Sequence, residues 1–366
     1  MSWDGEGLLI VGDQAETYGG QERVLETLLQ HYPAADAVAL RFPASRPYSG
    51  REPHCAERVR GLRTPFERRS LLMPVYAGRM ALARRTRAEV VLSITQGGTA
   101  AGARTRGPAR HVAYSSGPPT MYGQSELSLA DERPMLRPAL RAALPALRAT
   151  YRGLLRRPDR LIANSADSSQ YLQRELGLDT EVIHPPVRTD VFTPVPQERR
   201  HWLAVGRLAS QKRFDVLLAA FDSLDATLVV AGDGPVRGRL EAAAPPNVSF
   251  IGFADDQRLR ELYRSAHGLI CPSLETFGLV MAEALACGTP VIAQRAGGAV
   301  ELIREGVNGA FLATVDAEGV RRAIAEVERL DPTPEACRAS IEAYAQGRFL
   351  ERIGRVLEAE RALALR

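Results

Sequence analysis

A lysine and an arginine five residues apart are the first candidates for chemistry in this chain. Lys212 is the only lysine among 366 residues, and every other residue of the 47 counted as Lys or Arg is an arginine. It follows Gly206 and Arg207, where the pattern predicts a strand end, a glycine turn and a helix start. Helix N-termini expose unpaired N–H groups and attract anions. The two cations would therefore converge on a phosphate or pyrophosphate. In the alternative interpretation, Lys212 is a lysine without function on a solvated loop.

Two glutamates form a second candidate site. Glu275 lies in a predicted loop, and Glu283 lies on the following helix, about two turns further on. Such a carboxylate pair can hold two hydroxyl-bearing groups of one extended ligand, such as the sugar and the ribose of a nucleotide sugar. The backbone N–H groups of Phe277, Gly278 and Leu279 would face the same ligand. In the alternative interpretation, Glu275 only caps the helix and Glu283 is surface charge.

A pair of glycines, Gly19 and Gly20, follows the first predicted strand and precedes the amphipathic helix Gln21–Leu29. Glycines at such a turn let backbone N–H groups approach a phosphate closely. This signal is weak by itself, because glycine turns after a first strand are common.

These residues need a scaffold, and short apolar runs that alternate with helical stretches predict one. The alternation favours parallel sheets with crossover helices, an α/β fold. Helical candidates include Arg213–Leu224, Asp256–Ala266 and Leu279–Cys287. The predicted strands are Leu8–Val11, Ala37–Leu40, Val90–Ile94, His111–Ser115, Arg160–Ala163 and Glu181–His184, then Trp202–Val205, Thr227–Ala231, Val248–Ile251, Gly268–Cys271, Pro290–Ala293 and Ala310–Leu312.

The strand–helix rhythm restarts after a proline-rich stretch near the middle of the chain, which predicts two doubly wound domains. We expect an N-terminal domain over residues 1–190, a linker over 191–200 and a C-terminal domain over 201–346. Residues 347–366 form a predicted helix that we expect to pack back on the N-terminal domain. Ligands of open α/β sheets bind outside the carboxyl ends of the strands.

The composition excludes several classes of protein. No apolar run reaches the roughly 20 residues that span a bilayer, and the acidic N-terminus lacks the features of a signal peptide. The four cysteines form no Cys-x-x-Cys pair, so we expect reduced thiols in a cytoplasmic enzyme. The six histidines show no metal-binding spacing, and we expect no metal and no cofactor.

Charge is distributed unevenly along the chain. Residues 41–160 carry 23 arginines against 8 acidic residues, a balance of +15, whereas residues 1–40 sum to −6 and residues 161–366 to −5. This asymmetry predicts a face for an anionic partner, such as a phosphate-bearing lipid or the inner surface of a membrane. Nucleic acid is disfavoured because few aromatic residues are spaced among the arginines. The alternative is that these helices are simply solvated.

Taken together, several motifs resemble family 4 of the retaining glycosyltransferases, which has the GT-B fold of two Rossmann-like domains facing across a cleft. The motifs are Val205–Arg207 with Lys212, Val230–Pro235, the glutamate pair, and Ala284–Ala293. The N-terminal half resembles the mannosyltransferase branch of polysaccharide and O-antigen assembly. The matching stretches there are Gly19–Glu26, His111–Tyr114, Ile162–Ser165 and Val182–Val187.

The resemblance implies a role for each candidate. Arg207 and Lys212 would neutralise the leaving diphosphate, and charge developing on that group in the transition state is what preorganised cations stabilise. Glu275 and the Phe277–Leu279 backbone would contact the transferred sugar. The further assignments are Glu283 to the ribose hydroxyls and Gly20, beside Gly19, to the phosphates. The resemblance also makes the N-terminal domain the acceptor side and the C-terminal domain the nucleotide-sugar-binding side. Members of this fold need no bound metal.

The chain departs from the branch on the acceptor side. Ser116 stands where the branch has a histidine, Thr120 where it has an arginine, and Ala101 where it has a lysine. The resemblance places all three on the sugar and acceptor side. We therefore expect a donor or acceptor other than the usual ones of the branch, whose donor is GDP-mannose. His111 opens a strand, which favours a structural role over a substitute for the missing histidine.

These observations predict a retaining hexosyltransferase that uses a GDP- or UDP-linked sugar and a hydroxyl acceptor. Front-face attack is favoured, with the departing phosphate receiving the acceptor proton, because no carboxylate is evidently placed as a covalent nucleophile. Two alternatives remain. The first is a non-catalytic GT-B protein that binds nucleotide sugar. The second, a nicotinamide-dependent oxidoreductase, lacks support because no Gly-x-Gly-x-x-Gly motif opens either domain.

Overall fold

The computed structural model describes residues 3–13, 19–41, 59–63, 88–96, 98, 100–104, 109–117 and 137–366. Contacts divide the chain into two compact units. The first unit contains the described residues up to Pro186 together with Gly347–Arg366, and the second contains Val187–Gln346.

The first unit is built on a parallel sheet. Its described strands follow the order β3-β2-β1-β4-β5-β6-β7. The interior of this sheet is apolar, as expected for strands covered on both faces: β1 is buried along its whole length, and so is β4. The strands are β1 (Leu8–Gly12), β2 (Asp36–Arg41), β3 (Val59–Arg63), β4 (Val90–Thr95), β5 (Arg110–Ser115), β6 (Arg160–Ala163) and β7 (Glu181–Val182).

The second unit repeats the plan with a parallel sheet of order β10-β9-β8-β11-β12-β13. In both sheets the order runs outward in one direction and then reverses, which is the doubly wound arrangement. The predicted α/β fold class is therefore confirmed. The strands are β8 (His201–Val205), β9 (Leu228–Ala231), β10 (Val248–Gly252), β11 (Ala266–Cys271), β12 (Val291–Gln294) and β13 (Gly309–Leu312).

Helices connect the strands of each sheet. Several begin with a side chain that accepts a backbone N–H, for example Ser165 before α3 and Asp316 before α9. The described helices are α1 (Gly20–His31), α2 (Arg137–Leu155), α3 (Ala166–Leu176), α4 (Phe214–Phe221), α5 (Arg237–Ala242), α6 (Asp256–Arg264), α7 (Leu279–Ala286), α8 (Ala299–Leu302), α9 (Ala317–Leu330), α10 (Pro334–Ala339) and α11 (Gln346–Ala364).

The C-terminal helix α11 packs in the first unit. Phe349 and Ile353 are buried in the same apolar cluster as Leu8 of β1. Next to this cluster, the buried Glu360 carboxylate pairs with Arg110 at 2.7 Å and with Arg160 at 3.1 Å. An apolar stripe and a paired carboxylate thus anchor the end of the chain to the strands β1, β5 and β6.

The proline-rich stretch at the start of the second unit is packed against that unit. Phe192 is fully buried and stacks edge-on against Tyr263 of α6. Arg264 donates to the Thr193 carbonyl, and Arg338 donates to the carbonyl of Phe192, each at 2.7 Å. These bonds satisfy main-chain groups that have no sheet partner.

Strand β3 is absent from the sequence-based prediction. Its sequence, Val59-Arg60-Gly61-Leu62-Arg63, has only two large apolar residues and two charges. It lies at the edge of the sheet, paired on one side with β2. An edge strand needs less apolar character than a central one, which is why hydrophobicity alone does not reveal it.

No helix in the described parts of the chain combines the length and the apolar character needed to cross a bilayer.

Candidate functional site

The predicted donor-site residues of the second unit meet where its strand order reverses. Strands β8 and β11 are neighbours at this point, and their connections leave in opposite directions along the sheet. Arg207 follows the carboxyl end of β8, and Glu275 follows the carboxyl end of β11. In open α/β sheets the crevice at this switch point is where ligands bind.

The turn after β8 is held by a second glycine loop. Leu208 N–H donates to the Asp233 carbonyl at 2.9 Å, so the two loops pack backbone to backbone. A side chain at Gly232 would place its Cβ 1.9 Å from the Gly206 oxygen. Gly232 also has φ of 138°, a conformation that side chains disfavour. The Val230–Pro235 motif therefore shapes the loop that presents Arg207.

Lys212 lies in a 3₁₀ turn, Ser210–Lys212, and forms an ion pair with Glu275. The two side chains are 27% and 19% exposed, so this pair is only partly screened by water. Burial is the largest single influence and opposes the charge on the ammonium, but the attraction and hydrogen bond of Glu275, together with Cys271, outweigh it and raise the pKa of Lys212. Lys212 is therefore a permanent cation in a partly enclosed site and not a solvated loop residue.

Arg207 lies within electrostatic reach of Lys212. Its positive charge opposes protonation of the lysine and contributes a lowering effect to the pKa of Lys212. The guanidinium itself lies on an exposed residue of the β8 loop. The two cations predicted to converge thus share one electrostatic environment, in which an anion would neutralise both.

The loop that carries Glu275 is fixed by the glycine turn after β12. Gly298 N–H donates to the Glu275 carbonyl at 2.8 Å. A Cβ at Gly297 would lie 2.2 Å from that same carbonyl oxygen, and a Cβ at Gly298 would lie 2.1 Å from the Phe277 oxygen. Only glycines allow this close approach, so the turn over 296–298 serves as the support of the Glu275 loop.

Helix α7 begins beside this loop. Its N-cap is Gly278, with φ of 94° and no side-chain cap hydrogen bond. Glu275 therefore does not cap the helix, and the capping interpretation is wrong. Phe277 is buried and its ring lies 5.6 Å from the Tyr344 ring. With its ring packed inside the unit, Phe277 could face a ligand only through its main chain, next to the first amides of α7, those of Gly278 and Leu279.

Glu283 lies inside the unit rather than on its surface. It is 1% exposed, and the Tyr263 hydroxyl donates to its Oε2 at 3.2 Å. The surface-charge interpretation is therefore wrong. A ligand hydroxyl that reaches this carboxyl group could hydrogen-bond to it with little competition from water.

In the first unit, Gly19 and Gly20 form the entry to α1. Gly19 is the N-cap and Gly20 is the first helical residue. One residue later, Gln21 Nε2 donates to Ser116 Oγ at 2.7 Å. Ser116 follows the carboxyl end of β5, so the glycine entry of α1 lies at that edge of the sheet. Thr120 lies outside the described residues.

Asp13 occupies the switch point of the first sheet and was not found from the sequence. It follows β1 and accepts hydrogen bonds from Thr95 Oγ1 at 2.9 Å, Gln96 N–H at 2.8 Å and Ala100 N–H at 2.7 Å. These donors lie at or after the end of β4. Asp13 therefore joins β1 and β4 through neutral donors, with no basic group among these three.

The structure contradicts the placement of Ala101 on the ligand side. Ala101 is fully buried and packs with Tyr151, Leu155 and Leu172. A lysine there would place a charge in an apolar core. His111 has the structural role favoured from the sequence. Its Nε2 lies 3.0 Å from Ser93 Oγ, and burial lowers its pKa to about 4.

The Cys271 thiol lies beside Glu275. Burial, reinforced by the charge of Glu275, raises the pKa of Cys271 to about 12, so this thiol stays protonated. Among the described residues, no group of three or more His, Cys, Asp or Glu side chains is arranged to hold a metal ion.

Comparisons with known proteins match each half of the chain. Residues 189–344 match the family model described as glycosyl transferases group 1, and residues 18–191 match the model described as glycosyltransferase family 4. Sucrose-phosphate synthase from Thermosynechococcus elongatus superposes with a TM-score of 0.77 at 18% identity, over 98% of this chain and all of that chain. Anabaena HepE in complex with UDP and glucose superposes with a TM-score of 0.72 at 18% identity, over 97% and 100% of the two chains.

Curated relatives align over shorter stretches. A D-inositol 3-phosphate glycosyltransferase of Mycolicibacterium smegmatis is 35% identical over 215 residues, which are 51% of this chain and 49% of the relative. The chain thus spans about half the length of this curated relative. The structural likeness establishes the GT-B fold, with two Rossmann-like units. Two glycosyltransferase family models thus match the chain one after the other over residues 18–344, which supports a glycosyltransferase of family 4.

Proposed function

We propose that this protein is a retaining glycosyltransferase that moves a hexose, of mannose type or related, from a nucleotide-diphosphate sugar to a hydroxyl acceptor. The product would belong to glycan, glycolipid or glycosylated-metabolite biosynthesis. The observation that supports this proposal most strongly is the arrangement at the second switch point. Two cations, Arg207 and Lys212, share a site with the carboxylate of Glu275, and a helix N-terminus begins three residues after that glutamate.

Each part of this arrangement suits one part of the donor. When the bond between the sugar C1 and the diphosphate oxygen breaks, negative charge grows on the diphosphate, and the two cations would stabilise it. An ammonium has three donors, so Lys212 can donate to phosphate oxygens, with Glu275 competing for the same cation. Glu275 would accept hydroxyls of the sugar, and Glu283 would accept those of the ribose.

The proposal extends to the stereochemistry. In front-face attack, the acceptor oxygen would form its bond to C1 on the face that the diphosphate leaves. The departing phosphate oxygen would take the acceptor proton, so atoms and charges balance without a covalent sugar–enzyme intermediate. Because Arg207 and Lys212 supply positive charge at the diphosphate, we also propose that turnover needs no metal ion. An assay with and without EDTA tests this part, and loss of activity that Mg²⁺ restores would contradict it.

The relatives favour the donor class and suggest an acceptor. HepE is described in complex with UDP and with UDP-glucose, and the mycobacterial relative is named for an inositol phosphate. We propose a UDP- or GDP-linked donor and an anionic or lipid-linked acceptor, reached from the cytoplasmic face of a membrane. Exposed arginines on and after α2, among them Arg148, Arg152 and Arg156, would attract such an acceptor.

Two measurements test the function. A thermal-shift panel of nucleotide sugars should show a raised melting temperature for the true donor, because a ligand that binds only the folded state stabilises it. Turnover of that donor, with NMR assignment of the anomeric configuration of the product, should show retention. Binding without turnover would favour the non-catalytic alternative, and an inverted product would contradict the retaining mechanism.

A further inference from the structure

The carboxylate of Glu275 is held by one of its two oxygens. The Ser273 hydroxyl donates to Oε1 at 2.7 Å, and the Lys212 ammonium pairs with the same atom. The Cys271 sulfur lies 3.9 Å from it. Within the described part of the chain, Oε2 receives none of these contacts, although the Glu275 side chain is 19% exposed.

The backbone of the same residue is held separately. Gly298 N–H fixes the Glu275 carbonyl, and the missing side chains of Gly297 and Gly298 allow that contact. With the main chain fixed at one point and Oε1 at another, rotation of the carboxylate is restrained. Oε2 is then the oxygen that can face a ligand.

The two partners of Oε1 differ in what a ligand would do to them. A diphosphate would compete with Glu275 for the ammonium of Lys212, because both are anions. Ser273 is 6% exposed and has one hydroxyl proton, which it already donates to Oε1. Its bond would therefore persist when the diphosphate arrives, and it would hold the carboxylate in place during transfer.

We propose that Ser273 is a positioning residue of the donor site, which keeps Glu275 Oε1 fixed so that Oε2 receives the hydroxyl of the transferred sugar. This inference rests on the proposed function and adds a residue to it. It also predicts the direction in which nucleotide affinity changes. Because Glu275 competes with the diphosphate for Lys212, removal of the Glu275 charge should strengthen binding of the nucleoside diphosphate alone.

The test compares Ser273→Ala with Ser273→Thr, which keeps the hydroxyl, and with Ser265→Ala, which removes a buried serine hydroxyl at the other end of β11. The assay follows release of UDP or GDP from the nucleotide sugar that stabilises the wild type most, and calorimetry measures binding of that diphosphate. We expect Ser273→Ala to lower kcat about ten- to a hundredfold, since misplacement by about 1 Å has effects of that order. Diphosphate affinity should change less than about twofold, and Ser273→Thr should recover most of kcat.

A double-mutant cycle separates positioning from general destabilisation. In the Glu275→Gln background, Ser273→Ala should have little further effect on kcat, because it acts through that carboxylate. Equal effects in both backgrounds would overturn the proposal, as would a kcat of Ser273→Ala within about twofold of wild type or a matching loss in Ser265→Ala. If Ser273→Ala does not fold, the cycle with Ser273→Thr and Ser273→Cys replaces it. A wild type that neither binds nor cleaves any nucleotide sugar would instead refute the proposed function.

Discussion

The two units share one strand order but equip their switch points differently. In the second unit, the crevice between β8 and β11 holds Lys212 and Glu275, a cation and an anion that are both partly exposed. In the first unit, the corresponding place between β1 and β4 holds Asp13, whose carboxylate is engaged by a hydroxyl and two backbone N–H groups. The same scaffold thus leaves charge available to a ligand in the second unit and uses charge for internal hydrogen bonds in the first unit.

This difference suggests how work is divided between the units. Stabilising a leaving diphosphate needs preorganised cations that a ligand can reach, and a carboxylate with capacity left, which the second unit provides. The described edge of the first unit instead includes a carboxylate that is already hydrogen-bonded, that of Asp13, and the neutral pair of the Gln21 amide and the Ser116 hydroxyl. Neutral groups suit hydroxyl recognition, and variants in the two units should therefore fail in different ways.

The largest effect is expected for the cations of the second unit. Lys212→Ala, and similarly Arg207→Ala, should lose about 2–4 kcal/mol of transition-state stabilisation, because each removes a charge-assisted contact to the leaving group. Steady-state kinetics would show this as a fall of about 30- to 1000-fold. Arg239→Ala is the matched control, since Arg239 contacts the same turn through Ser210. Turnover of Lys212→Ala within about twofold of wild type would contradict the diphosphate role.

The two glutamates should separate transfer from nucleotide binding. Glu275→Gln should impair transfer while the affinity for free nucleoside diphosphate is kept or strengthened. Glu283→Gln should weaken that affinity by roughly 1–3 kcal/mol, as expected when a buried hydrogen-bonding group is mismatched. Calorimetry with UDP and GDP makes the comparison. Equal losses of nucleotide affinity in both variants would show that the assignment of sugar and ribose is wrong.

The Asp13 network should matter for stability of the first unit. Asp13→Asn replaces an acceptor by an amide donor that faces N–H groups, so we expect a loss of about 1–3 kcal/mol confined to this unit. Hydrogen exchange should accelerate in peptides covering β1 and β4 but not in those covering β8 and β11. Faster exchange in both units would contradict a loss confined to the first unit. Weaker binding of UDP and GDP at unchanged stability would instead give Asp13 a role in the donor site.

The smallest effect is expected at Ser116. Ser116→His should narrow or shift donor preference, by less than about tenfold in kcat/KM, without abolishing nucleotide binding. Ser116→Ala, which removes the contact with Gln21 and a long hydrogen bond to the Thr95 carbonyl, should be milder. Donor profiles of the three proteins test this. An unchanged profile in Ser116→His would show that the residue does not line the sugar site.

Local patterns predicted the scaffold well because buried parallel strands are short, apolar runs. The strand ends near Val205 and Cys271 follow from such runs, and they place Arg207 and Glu275 at one edge of a sheet. Strand β3 was not predicted, because its two arginines interrupt the apolar pattern by which the other strands were found. Ala101 was misplaced because sequence comparison of a loop does not show which side of it is buried.

The residues that position the site side chains could not be predicted from the sequence, for a different reason. Gln21 and Ser116 are 95 positions apart, and Asp13 and Ala100 are 87 apart. Only the folded chain brings these polar groups within hydrogen-bond distance. Even Ser273, two residues before Glu275, looked like an ordinary loop serine until its hydroxyl was seen on the carboxylate.

The central claim is that an anionic diphosphate binds at the switch point of the second unit, and the single lysine allows a direct measurement. Protein labelled with ¹³Cε-lysine should give one lysine signal in a ¹H–¹³C spectrum, that of Lys212. The pH titration of this signal should report a pKa above the usual lysine value, because Glu275 stabilises the ammonium. Saturating UDP, GDP or the matching nucleotide sugar should change the chemical shift of this signal strongly in the wild type. The same nucleotides should also change it in Glu275→Gln. A Lys212 signal that stays unchanged while calorimetry shows the nucleotide to be bound would contradict the account.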